Sequence, residues 1–93
     1  MSKSTQALQG LIKGRVQGVF FRLETLHQAQ NLGLVGWVRN TSEGHVEVYL
    51  CGEELKLQDM LLWLKRGPTL AKVLSVELNP VEVSNLPDFQ ILP

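Results

Sequence analysis

Apolar residues in this chain first alternate and then recur at helical spacing, and the chain runs through that change twice. Leu8, Ile12 and Val16 share a parity with Gly10 and Gly14, so residues 7–16 read as a strand with one buried face. Leu23, Leu26, Ala29 and Leu32 then mark an apolar stripe, which predicts a helix over 21–32 with Gly33 as the residue that ends it. A second strand is expected at about 34–40, with Trp37 and Val38 on opposite faces. Thr41-Ser42-Glu43-Gly44 reads as a short turn in which Gly44 takes a positive φ. The third strand has the clearest alternation, Val46, Val48 and Leu50 against His45, Glu47 and Tyr49. Glu53 and Glu54 start a second helix, in which Leu57, Met60, Leu61 and Leu64 follow the i, i+3, i+4, i+7 pattern. Lys65 and Arg66 suit its negative end, and Gly67-Pro68 stops it. Residues 71–78 read as a fourth strand, and a Pro/Asn/Ser-containing link at 79–87 leads to a short closing strand around Phe89 and Ile91.

The order βαββαβ plus a short C-terminal strand predicts an α+β fold, the ferredoxin-like α/β sandwich. Its sheet is mostly antiparallel, with two helices on one face. With no internal repeat and no linker in the pattern, residues 1–93 are expected to form a single domain. In this topology strands one and two run parallel with strand three between them, so their C-terminal ends emerge at the same edge. Residues 15–20 follow strand one and Asn40 ends strand two. Positions some twenty residues apart are thereby brought towards one place.

The join between strand one and helix one carries the chemistry. In Gly14-Arg15-Val16-Gln17-Gly18-Val19-Phe20-Phe21-Arg22, two glycines and two arginines straddle the switch in periodicity. Glycines allow successive main-chain N–H groups to curl around an anion. A helix beginning near Phe21 adds unpaired N–H groups and the positive end of its dipole. Arg22 in its first turn offers a planar fork of donors suited to a phosphoryl group. The segment reads as an oxyanion cradle, with phosphate the leading ligand.

Composition narrows the partners. The chain has 93 residues, 44% hydrophobic and 19% charged, and its nine basic and nine acidic side chains cancel. No overall field favours nucleic acid or an anionic membrane. The N-terminus lacks the apolar core of a signal peptide, and no apolar run approaches spanning length. The single cysteine, Cys51, cannot close an internal disulfide. A cytoplasmic monomer is the expectation. His27 and His45 are the only histidines, and no Cys/His/carboxylate set has zinc-ligand spacing, so no metal site is expected.

Two blocks of sequence resemble the acylphosphatase family. One is Gly14–Arg22. The other is Leu32-Gly33-Leu34-Val35-Gly36-Trp37-Val38-Arg39-Asn40, followed by the turn ending at Gly44 and by Val46-Glu47-Val48. Gly67-Pro68, Ala71, Val73, Val76 and Phe89-Gln90-Ile91 resemble its later segments, so the likeness runs along nearly the whole chain. It implies hydrolysis of small-molecule acyl phosphates to a carboxylate and inorganic phosphate, without metal or organic cofactor. By position it implies that Arg22 binds the phosphoryl group and that Asn40 positions the attacking water. The backbone of Arg15, Val16, Gln17, Gly18, Val19 and Phe20 would form the phosphate loop. Glu43 departs from the aspartate of many members, and Ile91-Leu92-Pro93 from the terminal tyrosine of many others.

Blander roles compete for each residue. Arg22 in isolation would be a solvated helix arginine, and Asn40 would be the cap of the 41–44 bend. Arg15 is expected to lend only its main chain, and Arg39 to be a solvated strand residue. Phe20 and Phe21 are expected to anchor the loop against the core. Trp37, Tyr49 and Trp63 are assigned to packing, His27 and His45 to the surface, and Cys51 to a buried or half-buried free thiol. Two other functions remain in contention. One is a non-catalytic phosphate- or carbamoyl-phosphate-binding module. The other is an RNA-recognition module on the same fold, which the zero net charge and the scarcity of aromatics on the central strands disfavour.

Overall fold

A computed structural model describes residues 4–93. Met1, Ser2 and Lys3, part of the N-terminal stretch compared with a signal peptide above, lie outside the described residues. The elements follow the order β1 (Thr5–Arg15), α1 (Phe21–Asn31), β2 (Val35–Asn40), β3 (Val46–Glu53), α2 (Glu54–Arg66), β4 (Lys72–Val81) and β5 (Phe89–Ile91). The strands make one sheet in the order β4-β1-β3-β2-β5. Every pairing is antiparallel except that of β2 with β5. This is the ferredoxin-like α+β arrangement that the periodicity predicts.

The register fixes where the ends of the strands meet. Val46 on β3 faces Ile12 of β1 on one side and Asn40 of β2 on the other. The loop after β1 and the carboxamide that ends β2 therefore leave the sheet at one level, one strand apart.

Alternation along each strand separates two buried layers. On the helix side, Ile12, Val38, Val46, Val48, Leu50 and Phe89 meet Phe21 and Ala29 of α1 and Leu57, Met60 and Leu64 of α2. On the other side Ala7, Tyr49 and Cys51 form a small cluster with Val35, Trp37 and Leu86 against them. The segment after β4 closes over it, and the Tyr49 hydroxyl donates to the Glu82 carbonyl (2.8 Å) and accepts from the Ser84 N–H (2.9 Å). Trp37 and Tyr49 stack at 6.2 Å, and Phe21 tilts against Trp63 at 6.0 Å, so all three aromatics assigned to packing do pack.

Some boundaries move. β4 reaches Val81 because β1 pairs with it as far as Ala7, and Pro80 is tolerated there because β4 is an edge strand. The buried stripe of α1 is Phe21, Thr25 and Ala29, with Leu26 and Leu32 partly covered and Leu23 exposed. The expected stripe had Leu23 in it. Once Phe21 is driven into the core, the buried face follows positions 21, 25 and 29, and Leu23 turns away.

Candidate active site

α1 starts with a free end. Its first main-chain bond runs from the Glu24 N–H to the Phe20 carbonyl (3.0 Å), and Phe20 caps the helix without a side-chain bond. The amides of Phe21, Arg22 and Leu23 are thus left unpaired, as the first turn of any helix leaves them. Among the described residues, the amides of Gln17, Gly18, Val19 and Phe20 also make no main-chain bond. The loop reaches this state through left-handed backbone at Gly18 (φ 72°) and at Phe20 (φ 62°). Alternating left- and right-handed residues turn consecutive N–H groups to one side, the geometry of an anion nest.

A cleft of about 320 Å³ opens at this point. Val16, Gly18 and Phe20 line it from the loop, Phe21, Arg22 and Leu23 from the first turn of α1, and Asn40 and Ile91 from the ends of β2 and β5. Arg22 and Asn40, singled out from the sequence, share its wall. Arg22 is half-buried and pairs with no carboxylate among the described residues. The Asn40 carboxamide oxygen is buried with no hydrogen-bond partner. Orphaned buried oxygens are uncommon because each costs about 1–3 kcal/mol, so one aimed at a cleft marks a place for a polar ligand.

The rest of the loop is divided among other tasks. Val16 is buried and seats the loop in the core. Arg15 still lies in β1 opposite Lys72, with its side chain exposed. Val19 lines a neighbouring cleft rather than this one. Gln17 does what no sequence signal announced: its side-chain amide donates to the carbonyls of Thr41 (2.9 Å) and His45 (2.8 Å). Those carbonyls bound the β2–β3 turn, which is closed by Thr41 N–H to His45 O (2.9 Å) and His45 N–H to Thr41 Oγ1 (3.1 Å). The loop and the strand that carries Asn40 are therefore tied together.

Three expectations need correction. Phe20 does not anchor the loop: it is 68% exposed, because its left-handed backbone swings the ring outward while Phe21, next in sequence, takes the core position. Arg39 is not simply solvated; it pairs with Glu47 directly opposite on β3, which also accepts a bond from Gln9. His45 is half-buried beneath the turn, while His27 is exposed as expected. Cys51 is a buried free thiol. Among the described residues no group of His, Cys, Asp and Glu is placed to hold a metal ion, and no helix is long and apolar enough to cross a membrane.

Comparison with known proteins identifies the family and the fold. The family model described as acylphosphatase matches residues 8–91. An acylphosphatase of Nitrosococcus oceani is 47% identical over 81 residues, spanning 87% of this chain and 91% of that protein. The structure of an acylphosphatase from Coxiella burnetii superposes with a TM-score of 0.93 at 35% identity, covering 99% of both chains. The chain also superposes in full on 12% of full-length HypF, solved in a phosphate- and nucleotide-bound form, with a TM-score of 0.91 at 32% identity.

Proposed function

Since this chain belongs to the acylphosphatase family, we propose that it hydrolyses the carboxyl–phosphate bond of acyl phosphates at the cleft between the phosphate loop, Arg22 and Asn40. The observation that carries the reading is one cleft holding an unpaired guanidinium, a run of unpaired amides and a carboxamide with a free oxygen.

In this mechanism the unpaired amides of Gln17–Phe20 and the Arg22 fork hold the equatorial phosphoryl oxygens, where charge gathers in the transition state. Asn40 accepts a hydrogen bond from water and steers its oxygen towards phosphorus, in line with the acyl oxygen. The new P–O bond forms as the old one breaks, and its electron pair leaves with the carboxylate. The water proton passes to an oxygen of the phosphate itself. A carboxylate departs without protonation, so the bond requires neither a metal nor an acid, and no covalent phosphoenzyme is invoked.

The wider reading is a cytoplasmic monomer acting on a small molecule, with residues 1–93 working as one domain. Pro80, Lys72 and Glu77 on the β4 edge oppose strand addition by a second copy, which supports the monomer. Sedimentation at the mass of one chain is the expected result, and a dimer boundary contradicts it. Tyr49, buried and bound to Glu82 and Ser84, is not available for base stacking, which supports a reading without nucleic acid.

The test is phosphate release from acetyl phosphate in the presence of a chelator. Wild-type turnover is expected, lost by about 10²–10³-fold in Arg22→Gln with the fold intact by circular dichroism. Saturable phosphate binding without turnover would favour the binding-module reading, which the likeness to a segment of HypF keeps in view.

A further inference from the structure

We propose that Ile91 is the wall that admits water and excludes alcohols as the nucleophile, so that the phosphoryl group passes to water when other hydroxyl compounds are present. This deepens the hydrolase reading and rests on it. A phosphoryl group held for in-line attack is open to any small hydroxyl group that reaches phosphorus. An alcohol would take it by the same step as water. Its oxygen forms the new P–O bond, the acyl P–O bond breaks with its electron pair going to the carboxylate, and the alcohol proton passes to a phosphate oxygen. Strict hydrolysis therefore calls for a barrier on the nucleophile's side that a carbon atom cannot pass.

The fold puts Ile91 at that side. β5 lies parallel to β2, with Phe89 opposite Gly36 and Ile91 opposite Val38. Phe89 and Val38 are both buried in the helix-side layer, and strand residues two apart share a face. Ile91 and Asn40 therefore leave the sheet on that same face, and both line the cleft of about 320 Å³. The Asn40 oxygen is buried, so little room is left beside it for anything larger than water. Val16 and Phe21, on the same cleft, are sealed in the core. Ile91 is 38% exposed, so it stands where the cleft meets solvent next to Asn40.

Ile91 is also held in place. The Gly36 N–H donates to the Asp88 carbonyl (3.0 Å) and the Leu92 N–H to the Val38 carbonyl (2.9 Å), which ties β5 to β2 on both sides of it. Phe89 fixes the strand in the core, and a β-branched side chain is stiff at χ1. The wall does not swing aside for a bulkier nucleophile.

Turnover of acetyl phosphate in aqueous methanol tests the assignment, with methyl phosphate and inorganic phosphate resolved by phosphorus NMR. The wild-type ratio of methyl phosphate to inorganic phosphate is expected to lie at least about 10-fold below that of the uncatalysed reaction in the same mixture. In Ile91→Ala the ratio is expected to rise by about 5- to 10-fold, whereas a merely structural role would lower turnover without moving it. Ile91→Val trims one methyl group and is expected to raise the ratio by about 2-fold, a readout that stands if the alanine variant fails to fold. A wild-type ratio equal to the uncatalysed one, or folded variants that keep the wild-type ratio, overturns the wall and leaves hydrolysis standing. No acetate release by the wild-type protein above the uncatalysed rate overturns the hydrolase reading and the wall with it.

Discussion

Asn40 and Gln17 carry side-chain amides in opposite states, one with an orphaned oxygen and one with its bonds made. The Asn40 oxygen is buried and unpartnered, a cost that folding bears and that a bound water would relieve. Asn40→Ala removes both the cost and the steering. Its kcat is expected to fall by about 10²-fold with KM little changed, while its denaturation midpoint stays level or rises by the equivalent of about 1 kcal/mol. A marked loss of stability with kcat preserved would contradict the role. Gln17 has its bonds already made, to Thr41 and His45. In Gln17→Met the loop and the Asn40 strand lose their tie, and kcat is expected to drop by about 10-fold because the two halves of the site drift apart. Unaltered kinetics would reduce Gln17 to a surface contact. That Arg22 and Asn40 come to line one cleft was legible, because one stands at a change of periodicity and the other at a strand end. The Gln17 tie was not legible, since its acceptors are carbonyls that every residue carries. Nor was the outward turn of Phe20, because adjacent phenylalanines read alike until the backbone decides which one enters the core.

The strands and helices explain why these residues stay where they are. β2 holds Asn40 level with Ile12 only if it lies close on β3. Gly36 allows that approach: with φ at 143°, a Cβ there would sit 1.8 Å from the Tyr49 carbonyl oxygen. Gly36→Ala is expected to destabilise by more than about 3 kcal/mol in urea titrations, and a cost below about 1 kcal/mol would show that β2 shifts freely. Tyr49 holds the crossing from β4 to β5. Tyr49→Phe leaves the Ser84 N–H without its acceptor, and a loss of about 1 kcal/mol is expected, with faster amide exchange along 82–86. Unchanged exchange would mean that Leu86 alone holds the segment down. The periodicity located every strand and helix, because each buries one face and the switch between two and 3.6 residues is sharp. It misjudged α1, where Thr25 occupies a core position that a polar residue does not advertise. It also said nothing of the covering over Tyr49, which depends on a link without periodicity.

Taken together, the molecule is a sheet whose topology converges the ends of β1 and β2 on one cleft, and a helix whose unpaired end lines that cleft. Charge plays a local part: the overall balance is zero, while Arg22 pairs with no carboxylate among the described residues and Arg39 pairs with Glu47. The topology was readable from the order of elements, since a split βαβ unit leaves few other ways to pair its strands. The cleft volume and the outward ring of Phe20 were not, as they depend on where side chains come to rest. The most direct test is a crystal structure of the protein soaked in inorganic phosphate. The anion is expected within hydrogen-bond distance of the Gln17–Phe20 amides and the Arg22 guanidinium, with a water between it and Asn40. Phosphate bound elsewhere, or a cleft that stays empty at saturating concentration, would contradict the account.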